Sequence, residues 1–177
     1  MKKNSIKNLV LAGLFVALGL ILPSLTGRIP ALGQKVLPMH IPVLISGFVC
    51  GWPYGLMVGF VTPLLASVIN GMPPMFPVAI AMAFELGAYG LLTGLFYKLF
   101  PKKPVFTYLT LILAMLGGRV ILGIANVILL GLNNAPYTFE MFIAGAFTNA
   151  IIGIIIQIII IPILINALQK ALHCDEP

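Results

Sequence analysis

Apolar residues fall into six runs along the chain, 6–22, 40–53, 55–70, 77–97, 106–131 and 138–172, and polar or proline-rich stretches separate them. At 1.5 Å per helical residue most of these runs cross most or all of a ~30 Å hydrocarbon core. They predict an all-α integral membrane protein with six transmembrane helices, in which residues 1–177 form a single membrane domain. The second run is short and contains Pro42, which predicts that its outer end lines a cavity instead of meeting lipid. Gly47 and Gly51, then Gly55 and Gly59, repeat a four-residue small spacing that fits tight antiparallel packing, with Pro53-Tyr54-Gly55 as the turn into the third span. Between the third and fourth runs stands Asn70-Gly71-Met72-Pro73-Pro74-Met75-Phe76-Pro77, whose prolines cannot continue a helix, so the chain turns there. Residues 23–40 form a longer loop, rich in Pro, Gly and polar groups, that carries Arg28, Gln34, Lys35 and His40. The basic start and first apolar run resemble a signal peptide, with Ser24, Thr26 and Gly27 as a cleavage region. The spans that follow and the placing of Pro23 favour a first transmembrane helix instead.

Composition agrees with the pattern: 60% of residues are hydrophobic and 8% charged, too few polar groups to cover a soluble domain of 177 residues. The net charge of +6 is scattered through short loops and makes no basic stripe with interleaved aromatics, so it does not point to nucleic acid. With six spans, Lys2, Lys3, Lys7, Lys98, Lys102, Lys103 and Lys170 fall on one side, which the positive-inside rule makes cytoplasmic, together with both termini. Only Arg28 and Lys35 are basic residues on the outside. Cys50 and Cys174 match no metal or redox spacing and are read as reduced and structural.

This topology turns the loops at 23–40, 70–77 and 132–138 outward. Counted from the outer helix ends, Glu85 lies at roughly 12 Å, Arg119 at roughly 18 Å, Asn126 at roughly 8 Å and Asn149 at roughly 16 Å. A charged group at such depth costs about 2.5–3.5 kcal/mol, so Glu85 needs a partner or a purpose. Tyr89 follows Glu85 by four residues and Asn126 follows Arg119 by seven, so each pair shares a helix face. Together they suggest a water-accessible pocket open to the outside, with His40, Asn70, Glu85, Tyr89, Arg119, Asn126 and Asn149 as ligand-binding candidates. Plainer roles stand beside this one. Glu85 and Arg119 also suit a structural ion pair, Asn126 and Asn149 interhelical hydrogen bonds, and His40 an interfacial position. Glu140 suits helix capping, Met39, Met72, Met75 and Met82 suit packing, and Gln157, deep toward the cytoplasm, suits a link between helices. Gly13 and Ala17, four apart on the first span, allow close approach of another helix, either within the bundle or from a partner.

There is no phosphate-binding loop, no H-E-x-x-H and no G-x-S-x-G or Cys/His nucleophile arrangement. No cofactor or metal is expected, and the energy for any transport must come from elsewhere. A stand-alone secondary transporter, or an intramembrane enzyme using Glu85 as acid or base, remains as an alternative.

The L-P-M-H-I-P opening of the second span, the N-G-M-P-P-M-F-P cap and the M-A-F-E-L segment of the fourth resemble the substrate-binding S components of energy-coupling factor (ECF) vitamin transporters. That resemblance implies capture of a vitamin-like small molecule from outside, and it leans toward pantothenate. It further implies docking on a shared transmembrane coupling subunit with two cytoplasmic ATPase subunits, and toppling in the membrane to release cargo. By the same resemblance Gly13 and Ala17 correspond to the first-helix contact with the coupling subunit, with glycine in place of the usual first alanine.

Overall fold

The computed structural model describes residues 2–25, 35–132 and 134–173. The expected loop residues Arg28 and Gln34, and Cys174, lie outside them. Among the described residues the α-helices follow in order: α1 Lys2–Leu25, α2 His40–Cys50, α3 Trp52–Asn70, α4 Ile80–Leu99, α5 Pro104–Leu132, α6 Phe139–Ile143 and α7 Ile151–His173. Wide π-type turns at Met75–Ala79 and Ala144–Thr148 lead into α4 and out of α6. Among the described residues there is no strand.

Among the described residues five helical stretches are long and apolar enough to cross a membrane: Ser5–Ser24, Trp52–Asn70, Met75–Leu99, Pro104–Leu132 and Ile151–Leu168. The second expected span departs from the rest. At 11 residues α2 covers only about 16 Å, and nine of those residues are buried, from His40 through Cys50. It is an internal post packed against α1, α3, α4 and α7. A helix without a lipid-facing side can be short, because neighbouring helices and not its own length shield its backbone from hydrocarbon.

The turn from α2 to α3 is made at Gly51, whose φ of 84° L side chains rarely adopt. Pro53 to Gly55, expected to turn the chain, instead form the first turn of α3, where proline's missing N–H costs nothing. Gly71, at φ 70°, ends α3 with its N–H on the Ser67 carbonyl. The other small residues serve close packing. A Cβ on Gly55 or Gly90 would run into the other residue's carbonyl, and one on Gly59 would strike the Leu86 carbonyl. Gly47 of α2 meets the Gly90 carbonyl and Thr93 in the same way. Helices α2, α3 and α4 therefore touch backbone to backbone.

Hydrogen bonds fix which ends lie together. Ser5 and Tyr54 share a 3.0 Å contact, and the Asn8 amide donates to the Cys50 carbonyl at 3.4 Å. Gly94, late in α4, lies against Trp52. The start of α1, the α2–α3 turn and the end of α4 thus occupy one end of the bundle. There Lys102 caps the loop after α4, donating to the Tyr97 carbonyl at 3.1 Å and lying over the Tyr97 ring at 3.3 Å. At the other end Gly153 of α7 lies against the backbone carbonyls of Lys35 and Val36.

Two further expectations change. Helix α1 continues through Pro23 to Leu25, so the loop after it begins later than residue 23. The sixth run is not one helix: it breaks between Thr148 and Ile151, where small and polar residues interrupt the apolar sequence, and in 139–149 only Ala146 is buried. On α1, Ala12 and Phe15 enter the core and Gly19 abuts Thr62, while Gly13 and Ala17 are exposed. A Cβ on Gly13 would meet nothing within 4 Å, so that pair does not serve internal packing.

The helix contacts give a direct prediction. Gly90→Val should cost on the order of 3 kcal/mol through overpacking, read as a lower midpoint of unfolding in detergent. Gly131→Ala, where a Cβ meets open space, should leave the midpoint unchanged or slightly raised. Equal midpoints for the two variants would refute the backbone contact.

Candidate functional site

Glu85 sits five residues into α4 and Tyr89 one turn further on. The i, i+4 spacing brings the two onto one face, and the Tyr89 hydroxyl donates to Glu85 Oε1 at 2.9 Å. Arg119, near the middle of α5, places Nη1 2.9 Å from the same oxygen. His40, the first residue of α2, brings Nε2 to 3.8 Å from Glu85 Oε2, and its ring stands 5.6 Å from the Tyr89 ring at a 55° tilt. Gly118 makes this convergence possible, since a Cβ there would collide with the Tyr89 ring. Three helices thus deliver four polar side chains to one point, each 4% exposed or less.

Glu85 Oε1 accepts two hydrogen bonds, which balances the carboxylate and fixes the guanidinium plane. The cluster is nevertheless not self-sufficient. Arg119 Nε and Nη2 and both ring nitrogens of His40 are buried without a hydrogen-bond partner among the described residues. Buried polar groups are nearly always satisfied, and an orphaned donor costs about 1–3 kcal/mol. A plain structural ion pair would be expected to use the guanidinium fork more fully. The geometry suits a guanidinium held by one carboxylate while its remaining N–H groups are kept for another acceptor.

The other expected residues lie away from this point. Asn126 is half-buried two turns along α5, and its amide reaches the Tyr137 hydroxyl at 3.5 Å. Asn70 ends α3, half-buried, and its side chain makes no hydrogen bond among the described residues. Asn149 is exposed on the turn before α7, outside the cluster. Glu140 lies in the first turn of α6, where the Thr138 hydroxyl caps the helix by accepting from the Met141 N–H at 3.3 Å.

Two residues at or near the site carried no clear sequence signal. Tyr137 follows Asn134-Ala135-Pro136, just past the C-terminal end of α5. Its phenol is pushed above the ordinary tyrosine range by burial and then by the Glu85 carboxylate, against the Asn126 hydrogen bond. Gln157 is completely buried with both amide atoms unpartnered, so the interhelical hydrogen bond expected of it is not made among the described residues. A separate cleft of about 480 Å³ is lined by Val120, Ile124, Val127 and Ile128 of α5 and by Tyr137 and Phe142. Its lining is almost wholly apolar, and its α5 stripe is turned about 100° from Arg119 around the helix. The polar cluster is therefore the better candidate for ligand chemistry.

A family model described as "ECF transporter, substrate-specific component" matches residues 7–165, a stretch that contains the whole cluster. Neither a curated protein nor a solved structure matches the chain.

If Glu85 is what balances Arg119, Glu85→Ala should destabilise the protein by about 3–5 kcal/mol, because it strands a buried cation. Denaturant unfolding in micelles measures this. A loss under about 1 kcal/mol would show that the pair is solvated and does not hold α4 to α5.

Proposed function

Because the chain belongs to the family of substrate-specific components of ECF transporters, multi-pass proteins of the cell membrane that work with a small-molecule substrate and the ECF module, we propose that it captures a vitamin or related micronutrient from outside. Pantothenate is the best-fitting cargo. The observation that carries this reading is the buried Arg119, which Glu85 orients through Nη1 while Nε and Nη2 remain without partners. A carboxylate on the cargo matches that fork in charge and geometry.

Six crossings with both termini cytoplasmic fit the bundle. The short α2 then counts as the second crossing, completed above His40 by the segment that leads into it. Lys7, Lys98, Lys102 and Lys103 cluster at the end shared by the start of α1 and the end of α4, as the positive-inside rule requires of the cytoplasmic face. His40, Glu85, Tyr89 and Arg119 form the inner wall of the site. Asn126 and Tyr137 lie on its outward side, and Asn70 and Asn149 stand in its outer loops. ATP hydrolysis would reside in two partner subunits, and a membrane coupling subunit would engage the exposed Gly13 and Ala17 face of α1, where small side chains permit close helix approach.

Two variants test the two halves of this proposal. Arg119→Lys keeps the charge but loses the fork, so pantothenate affinity measured by calorimetry should fall about 30-fold or more, equivalent to about 2 kcal/mol. Unchanged affinity would remove Arg119 from the site. Gly13→Trp should leave pantothenate binding intact while stopping uptake in cells that carry the complete transporter. Normal uptake would remove α1 as the docking face.

A further inference from the structure

The buried face of α7 repeats every four residues: Gly153, Gln157, Ile161 and Ile165. The first lies against the backbone carbonyls of Lys35 and Val36 and the Leu37 side chain, and the last two belong to the core cluster that holds Val43, Leu44 and Phe48 of α2. Gln157 is therefore bracketed by contacts with the segment before α2 and with α2 itself. The His40 N–H bonds back to the Leu37 carbonyl at 3.0 Å, so the opening turn of α2 lies immediately below the level of Gly153. Because α7 starts at Ile151 and not near 138, Gln157 is only six residues into its helix, about 9 Å. It stands in the same half of the bundle as Glu85, well short of the cytoplasmic end.

At that level the stripe should be apolar if it served packing alone. Instead it carries an amide with no exposed surface whose oxygen and nitrogen both lack partners. The same is true of His40 Nδ1 and Nε2 on the neighbouring helix, and of two Arg119 nitrogens across from them. Orphaned polar atoms thus occur on α2, α5 and α7, and α7 packs on both of the other two helices. An amide offers one acceptor and two donors and carries no charge. It suits a neutral group of the same kind, and it tolerates burial only when such a group arrives.

We propose that Gln157 is a specificity-determining residue of the cargo site. It pairs with a neutral amide or hydroxyl of a ligand whose anionic end is held by Arg119. The cargo class is then a carboxylate that also bears amide or hydroxyl groups, and this rests on the capture function proposed above. His40, on the helix beside α7, would offer Nδ1 to the same ligand.

The test is Gln157→Met, which keeps length and volume and removes the amide. Without ligand, its melting temperature in detergent should equal or exceed that of the wild type, because an unpaired polar group has gone. Its affinity for pantothenate should fall about tenfold or more by calorimetry, with part of the loss recovered in Gln157→Asn. A lower melting temperature without ligand would show that the amide ties helices together and would overturn the proposal. So would full pantothenate affinity in Gln157→Met. If the wild type itself ignores pantothenate, the cargo assignment falls, and the ligand-free melting comparison still decides whether Gln157 is a structural link.

Discussion

A carboxylate with 2% exposure, on a helix that crosses lipid, is the constraint around which the bundle is arranged. Glu85 is tolerable there only with a cation and hydrogen-bond donors at contact distance, and no single helix supplies both. Tyr89 comes from the same helix one turn on, but Arg119 has to come from α5. The register of α4 against α5 is therefore set by the ion pair, and Gly118 is the adjustment that lets the Tyr89 ring fit beneath it. On its other side α4 is drawn against α2 and α3 by glycines that let the backbones touch. Helix α4 is thus gripped by electrostatics on one face and by backbone packing on the other.

Much of this fold was legible in the sequence because lipid makes simple demands. Apolar run length predicted the helices, and the proline cap at 70–77 marked a real reversal. What escaped were features that depend on neighbours. The 11-residue α2 looks from its composition like an incomplete span, and only its burial among four helices explains why it can be so short. The break before Ile151 lies inside a run that hydropathy treats as continuous, since Gly145, Thr148 and Asn149 scarcely lower its average. Gly51 fell into the same four-residue series as Gly47 and Gly55, yet it serves backbone conformation while they serve contact.

The polar cluster divides along the same line. Glu85, Tyr89 and Arg119 were visible as charges and spacings in places where lipid forbids them, and His40 as the residue that opens the second run. Their meeting follows from helix periodicity and a shared depth. Depth misled for Asn149 and Gln157, because both were counted from near 138 as though one helix ran on unbroken. With α7 beginning at Ile151, Asn149 lies in an exposed turn and Gln157 only six residues into its helix. Tyr137 could not be picked out at all, since a tyrosine between two apolar runs is ordinary until Asn126 is seen to reach it.

The brevity of α2 sets how the protein can change. A post whose first turn closes on the Leu37 carbonyl, partway along the bundle, stands among full-length helices that are braced by contacts of their own. Adding or removing a turn at His40 would change what meets the polar cluster without shifting the glycine contacts below or the outward face of α1. Cargo preference can in this way drift through evolution while the surface offered to a partner stays constant.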